Sequence, residues 1–475
     1  MFKNKKFGPV IYCFVALQDM EIPDQLLTDI CDETVSLEDL RTDTYKNIEG
    51  IDVIENPISY EEFFRNYLLP NRPCLLDPWA TQSWPSRKLW ATEGMTPNLN
   101  YLEDHFGDAQ VPVANCNVEQ YSSHPKEDMT MKEYVKYLRE TSLLSNTAVE
   151  DVKSDAACLY LKDWHFTREF PEYEAYKVPV YFCSDWLNES WDSKEELSDD
   201  YRFVYIGPKG SWTPFHTDVF KSYSWSANIV GCKKWILFPP GEEIQFKDKL
   251  GNLAYDLTSE DVKDKSKYPV AFDGHRGFEV IQKTGQVLFV PSGWHHQVWN
   301  LEDTISINHN WYNGCNIDLC WTYIKSCLRD VQKEIADCRD MEGWHQQCQL
   351  VLKASCGMDL RDFLQFLQLI ANNRISSLSS SQTQDSITET NTKGVPGCQY
   401  YGDSKTLKST KSNSKKYYNA YGKNHALFDL NRIILIMKDF VEFIKDYDEL
   451  NFSTCGENPE DFVNRLLKFY ADYEK

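Results

Sequence analysis

Three residues of metal-binding type stand out by their spacing. His216 and Asp218 form a His-x-Asp triplet inside Thr213–Asp218, which reads Thr-Pro-Phe-His-Thr-Asp. Eighty positions after His216 comes Pro291–His296, Pro-Ser-Gly-Trp-His-His. Strand side chains alternate with period two, so His-x-Asp on a strand places both side chains on one face. A later histidine on a partner strand completes a facial set of two imidazoles and one carboxylate. That set suits Fe(II) and leaves three coordination positions for a cosubstrate and O2. A lone His-x-Asp arises often by chance, so its weight depends on the surrounding text. His295 and His296 both offer an imidazole, and alternation lets one of them point inward.

The elements that must position these side chains read as strands. Tyr201–Ile206 is aromatic and β-branched and is broken by Gly207, Pro208 and Gly210. Trp225–Val230 and Lys234–Phe238 read as strands joined through Gly231, and Pro239–Gly241 ends the second. Val287–Val290 is a short apolar strand stopped by Pro291 and Gly293, and Thr304–Trp311 alternates again. Short strands with Gly/Pro punctuation imply a sandwich or barrel core. Trp225, Trp235, Trp294 and Trp299 read as core.

On these motifs Tyr201–Trp311 resembles a JmjC domain of the cupin-like 2-oxoglutarate oxygenases. The matching pieces are Gly-Pro before the first ligand strand, His216-Thr-Asp218, Gly231-Cys-Lys-Lys-Trp-Ile-Leu-Phe-Pro239, Pro-Ser-Gly-Trp-His-His296 and Asn300-Leu-Glu-Asp-Thr-Ile-Ser-Ile-Asn308. Phe64–Pro73 resembles the entry helix and strand of the JmjC-only hydroxylases. Trp294-His-His296 and Ile307–Trp311 are most similar to the JmjC lysyl hydroxylases that act on the eukaryotic translation termination factor. The resemblance implies an α+β fold: a double-stranded β-helix (jelly-roll, cupin-like) core, flanking N-terminal α/β elements and a C-terminal helical region. It implies Fe(II), with 2-oxoglutarate and O2 as cosubstrates, and a cytoplasmic protein that hydroxylates a lysine of the termination factor.

The resemblance also assigns residues. It places the third metal ligand at His296, with His295 where most members carry tryptophan. Lys233 falls where the family carries the lysine for the far carboxylate of 2-oxoglutarate. Lys234 competes, and parity again allows one of the two inward. Thr213 matches a hydroxyl that donates to the same carboxylate, and Asn308 a polar position facing the cosubstrate. Ser226 and Asn228 are candidates of the same kind. Tyr205 offers its phenol to the pocket, or serves as a core aromatic.

The 475 residues suffice for one large domain and a smaller one, and 14% aromatics supply a sizeable core. A formal net charge of −22 opposes nonspecific nucleic-acid binding, which relies on phosphate neutralisation by Lys and Arg, and suits basic protein surfaces or plain solubility. The 15 cysteines are scattered without a C-x-x-C pair, so zinc ribbons and thioredoxin motifs are excluded and a reducing compartment is implied. Cys338, His345 and Cys348 make an incomplete metal set. No segment reaches the ~18 consecutive apolar residues of a membrane span. Lys3, Lys5 and Lys6 before Val10–Leu17 give a faint signal-peptide shape without a small-x-small cleavage site, and Met20 is an alternative start.

Along the chain, 1–50 reads as an N-terminal extension, 51–195 as an α/β buttress, 196–313 as the core, and 314–375 with 425–475 as helices. Tyr60–Leu69 and Met131–Glu140 read as helices and Leu159–Trp164 as a strand. Leu360, Phe363, Leu364, Leu367 and Ile370 have helical spacing, as do Leu427, Leu430, Ile434, Met437, Val441 and Ile444. Asn458 and Pro459 open the last helix. Residues 376–424, rich in Ser, Thr, Asn and Lys, read as a disordered insert. The C-terminal helices offer a surface for a homo-oligomer. Four functions compete: lysyl hydroxylation, lysine demethylation by the same iron chemistry, nucleic-acid hydroxylation, which the acidity opposes, and an inactive cupin-like scaffold.

Overall fold

The computed structural model describes residues 22, 36–147, 157–194, 199–270, 277–390, 422–447, 450–452 and 454–473. The apolar run Val10–Leu17 and residues 391–421 lie outside them. Thirteen strands are found among the described residues: β1 (Asp52–Ile54), β2 (Cys74–Leu76), β3 (Gln110–Asn115), β4 (Lys126–Thr130), β5 (Leu159–Trp164), β6 (Arg202–Gly207), β7 (Trp212–His216), β8 (Tyr223–Val230), β9 (Lys233–Phe238), β10 (Phe278–Gln282), β11 (Val287–Val290), β12 (His295–Asn300) and β13 (Thr304–Trp311). They form a nine-stranded sheet, β1-β2-β11-β8-β13-β6-β5-β3-β4, and a four-stranded sheet, β10-β9-β12-β7. The expected jelly-roll core is present, and β1 to β5 from the N-terminal region extend its larger sheet.

Alternation in the central strands explains why a polar cavity survives inside an apolar shell. In β13, Ile305, Ile307 and Trp311 join the large hydrophobic cluster shared with the helices. The intervening Ser306, Asn308 and Asn310 take the other face. Strand β8 repeats this: Tyr223, Trp225, Ala227 and Ile229 pack outward, leaving Ser224, Ser226 and Asn228. All eight positions of each strand are buried, so these polar side chains face the space between the sheets rather than solvent. One end of that space is filled by Leu288 and Val290 of the larger sheet against Trp235, Leu237, Val280 and Val298 of the smaller.

The β8–β9 turn depends on Gly231, whose φ is +90°. A Cβ there would meet the Asp303 carbonyl oxygen at 2.3 Å, so both conformation and space require glycine.

The helices include α1 (Leu37–Asn47), α2 (Met131–Thr147), α3 (Trp186–Asp192), α4 (Ile317–Glu334), α5 (Trp344–Cys356), α6 (Leu360–Thr390), α7 (Gly422–Ile444) and α8 (Pro459–Tyr473); α3 packs on β13, α5 on α4, and α8 on α7. The Asn458 side chain accepts from Glu460 N at 2.9 Å and caps α8.

Three expectations are corrected here. The helix expected over Tyr60–Leu69 is one α-turn, Tyr60–Phe63, continued by a π-turn, Phe64–Leu68. Residues 376–390 are not a disordered insert but the end of α6. The apolar stripe continues through Ile375 and Leu378, and Leu378 is fully buried. Part of the extension 1–50 also belongs to the fold. Within α1, buried Arg41 pairs with Asp318 at 2.6 Å and donates to the Cys315 carbonyl, tying the N-terminal region to α4.

Candidate active site

His216, Asp218 and His296 converge, each offering a ligand atom within 4.8 Å of the others. His216 and His296 are cross-strand partners on β7 and β12, and their rings lie 4.4 Å apart. Each ring is oriented by its own backbone. His216 Nδ1 lies 2.7 Å from the Pro214 carbonyl oxygen, and His296 Nδ1 lies 3.0 Å from that of Trp294. A carbonyl can only accept, so both Nδ1 atoms carry the proton and both Nε2 lone pairs are left for a metal. Burial, and then the nearby His296, push His216 down to about 3. The imidazole therefore stays neutral, as a metal ligand must.

Asp218 reaches this point differently from the expected strand geometry. Strand β7 ends at His216, and Asp218 stands at φ −58° and ψ 154° before a short turn, Val219–Lys221. Within that turn Phe220 and Lys221 both have φ of 53°, which reverses the chain towards β8. The first residues of β8 then brace the ligand: Ser224 Oγ donates to Asp218 Oδ2 at 2.6 Å.

His295 faces the other side of β12. Its ring is 5.6 Å from Phe215, and Nδ1 is 3.8 Å from Glu243. The same parity separates the two lysines. Lys234 Nζ pairs with Glu279 at 2.7 Å across the outer face of β9 and β10. Lys233 points between the sheets, fully buried, and donates to Ser306 Oγ at 2.8 Å and Tyr160 Oη at 3.4 Å. No carboxylate pairs with it among the described residues. Burial, and then repulsion from Lys162, draw its pKa down to about 7. A buried ammonium held only by hydroxyls is a site for an anion from outside.

Thr213 faces the same cavity because of a bulge. Between the pairs His296↔His216 and Val298↔Thr213, β12 advances two residues and β7 three. The extra residue resets parity, so Thr213 and His216 share a face despite their odd spacing. Ser226 and Asn308 are cross-strand partners on the cavity wall. Ser226 Oγ and Asn308 Oδ1 are buried without hydrogen-bond partners, as fits a wall awaiting a polar ligand.

Two further expected cosubstrate residues make hydrogen bonds within the chain. Asn228 Nδ2 donates to the Gly231 carbonyl at 2.7 Å and to that of Gln282 at 3.4 Å, which braces the β8–β9 turn, while its Oδ1 is buried without a hydrogen-bond partner, like that of Asn308. Tyr205 lines the cavity with its ring, 5.9 Å from Lys233 Nζ, but its phenol donates to Asp163 at 2.6 Å. The phenol that reaches Lys233 is that of Tyr160. Tyr160 and Ser306 were missed because their proximity to Lys233 depends on pairing between distant segments. One signal was available: Ser306 and Asn308 share a face of the alternating Thr304–Trp311. Lys162, two residues after Tyr160 on β5, is a further cation near the site, and its charge acts on both His216 and Lys233.

The donor set fits iron and 2-oxoglutarate: two imidazoles and a carboxylate on one side of a metal, with a buried ammonium beyond that no carboxylate pairs among the described residues. Relatives agree. The cupin-like domain family matches residues 60–317. The chain is 47% identical over 417 residues to the 2-oxoglutarate and iron-dependent oxygenase JMJD4 of Danio rerio, covering 88% of this chain and 92% of that one. It is 44% identical over 421 residues to the JMJD4 oxygenase of Gallus gallus, covering 88% and 92%. The arginine-specific demethylase JMJ20 of Arabidopsis thaliana is 38% identical over 338 residues, 68% of this chain and 70% of that one. No helix among the described residues is long and apolar enough to cross a membrane. The chain therefore belongs to the cupin-like JmjC oxygenases, which use Fe(II), 2-oxoglutarate and O2.

Proposed function

We propose that this oxygenase hydroxylates a side-chain carbon of a lysine in a protein, by resemblance the eukaryotic translation termination factor, and so promotes termination in the cytoplasm. The observation that carries the oxygenase site is the triad His216, Asp218 and His296 beside the buried, unpaired Lys233. His216, Asp218 and His296 would hold the iron. Lys233, with Tyr160 and Thr213, would hold the far carboxylate of 2-oxoglutarate. When bound, iron and 2-oxoglutarate supply the oxidising power that places one oxygen atom of O2 into a C–H bond, with succinate and CO2 as coproducts. The chain contributes orientation. Backbone carbonyls fix both imidazoles, Ser224 fixes Asp218, Ser306 fixes Lys233, and the apolar end of the cavity excludes water.

The lysine reading rests on the resemblance and on an acidic chain that suits a basic partner. A lysine substrate also needs an acceptor for its ammonium. Asp163 fits that role. It sits on β5 at a register shift with φ of +61°, about one third exposed, at the end of Tyr205. It already binds one lysine ammonium, that of Lys126. The substrate ammonium would take the place of Lys126. Asp163→Asn should then raise KM for the protein substrate roughly two- to fivefold and leave the 2-oxoglutarate requirement unchanged.

A second reading, removal of an N-methyl group from arginine, is favoured by the demethylase name of the Arabidopsis relative. The two separate on one experiment. Termination-factor protein, unmethylated and methylated, is incubated with enzyme, Fe(II), 2-oxoglutarate and O2, and its peptides are weighed. Hydroxylation adds one oxygen to an unmethylated lysine peptide. Turnover confined to methylated peptides, with formaldehyde released, would overturn the lysine reading and leave the iron site intact.

A further inference from the structure

Strands β3 and β5 are neighbours, with Ala114 opposite Tyr160 and Asn115 opposite Leu159. One step further the same register sets Cys116 opposite Cys158, and Cys116 N donates to the Cys158 carbonyl at 2.8 Å. Cross-strand partners of this hydrogen-bonded kind have Cα atoms about 5.5 Å apart, inside the ~4.4–6.8 Å range of disulfides. Both cysteines are free thiols. The neighbouring Cys158 thiol pulls the Cys116 thiol below its ordinary value against the opposing effect of burial, and His124 assists. The Cys158 thiol is raised in turn. His124 is buried with its ring 4.8 Å from that of Trp212, and neither ring nitrogen has a geometric hydrogen-bond partner among the described residues. The Cys116 sulfur lies 3.6 Å from the Trp212 carbonyl oxygen.

We propose that Cys116 and Cys158 form a peroxide-reactive dithiol that closes to a cross-strand disulfide separate from the iron site. The Cys116 sulfur attacks one oxygen of a hydroperoxide and the O–O bond breaks. The thiol proton passes to the departing oxygen, which leaves as water when the oxidant is hydrogen peroxide. Cys116 is thereby oxidised to a sulfenic acid and the peroxide is reduced. The Cys158 sulfur then attacks Cys116, the S–O bond breaks, and the hydroxide leaves with the Cys158 proton as a second water. In sum, two thiols and one hydrogen peroxide give one disulfide and two waters. Cys158 is partly exposed and opens the pair to a small oxidant.

The position makes the bond reversible and gives it a consequence. Cβ atoms of directly opposed residues stand about 4.5–5.5 Å apart, wider than the ~3.8 Å of a relaxed disulfide. Closure draws the strands together, so the bond is strained and readily reduced by small thiols. Cys158 is two residues from Tyr160, which reaches Lys233, and Trp212 adjoins Thr213. Closure therefore pulls on both walls of the proposed 2-oxoglutarate pocket.

The test uses the full chain, reduced, with limiting hydrogen peroxide, followed by alkylation, digestion and mass spectrometry. The expected product is a Cys116–Cys158 linked peptide pair lacking two hydrogens, formed ahead of other thiol products and removed by glutathione. Cys158→Ser should leave Cys116 as a sulfenic acid that a cyclic 1,3-dione traps. Recovery of Cys116 and Cys158 as thiols while other cysteines oxidise overturns the proposal. So does prior linkage of another free pair such as Cys327 and Cys356.

Discussion

Arg374 and Lys233 are both buried cations, and their surroundings differ in kind. Arg374 on α6 lies among the helices. Its guanidinium donates to both oxygens of Glu189 at 2.9 Å and to Asp429 at 2.6 Å. All three side chains are almost fully buried, on α6, α3 and α7. Pairing outweighs burial there, and the pKa of Arg374 is raised. Lys233 in the β core is equally buried, yet it meets only the hydroxyls of Ser306 and Tyr160, and its pKa falls. A cation whose counter-ions are built into the chain fixes three helices together. A cation deprived of them tolerates that cost because a ligand completes it. The helical layer is thus finished as folded, while the cavity between the sheets is finished by what enters it.

The largest effect lies at the metal. His296→Ala removes one imidazole from the triad, and turnover should drop to background with iron binding lost. The fold should persist, since Val298 and Trp294 still pack β12 into the core. Activity measured beside a urea melt checks this. Retained iron binding would transfer the ligand role to another group.

Next comes the helical cation. Arg374→Met leaves Glu189 and Asp429 buried without their partner and should cost about 3–5 kcal/mol of stability. Activity per folded molecule should stay near wild type. Urea midpoints with active-site titration separate the two quantities. Loss of activity in a stable variant would mean that this brace acts on the site itself.

Lys233→Met inverts the pattern. It removes a buried charge that no carboxylate offsets, so the urea midpoint should hold or rise. The 2-oxoglutarate requirement should increase roughly ten- to a hundredfold, from a charge-assisted contact worth about 1.5–3 kcal/mol. A requirement equal to wild type would place the far carboxylate elsewhere, with Lys162 the nearest alternative cation.

The core strands were legible because alternation and punctuation agree there. Leu159–Trp164, Val287–Val290 and Thr304–Trp311 form as their sequences indicate. Parity reduced each of two ambiguous pairs, His295/His296 and Lys233/Lys234, to a choice of one, which the resemblance directed and the sheet register displays. What sequence could not supply is register between distant strands. Tyr160 meets Lys233 across 73 positions, and so does Ser306. The bulge that turns Thr213 inward exists only in the pairing of β7 with β12. Composition misled at residues 376–390, where Ser and Thr mask a stripe that buries Leu378. The Tyr205 phenol is held by Asp163, and type and parity do not reveal such prior engagement.

The smallest effect is a dependence on pH, and its sign follows from Lys233. Its ordinary value is 10.5, and in the fold it lies at about 7. Between those values the unfolded chain binds the proton and the folded chain does not. Stability should therefore rise with pH across that window, and the full penalty of the buried charge is present below about 7. Cosubstrate binding runs the other way. The far carboxylate needs the ammonium, so above about pH 7 binding must take up a proton, and the apparent affinity falls towards tenfold per pH unit. Lys233→Arg supplies the discriminating control, because a guanidinium keeps its charge throughout. Its 2-oxoglutarate requirement should be altered in level but flat between roughly pH 6.5 and 9, where the wild-type requirement climbs. Equal slopes in both proteins would assign the proton to another group. Lys233 would then be charged as permanently as Arg374, and the contrast between a completed cation and a waiting one would rest on geometry alone.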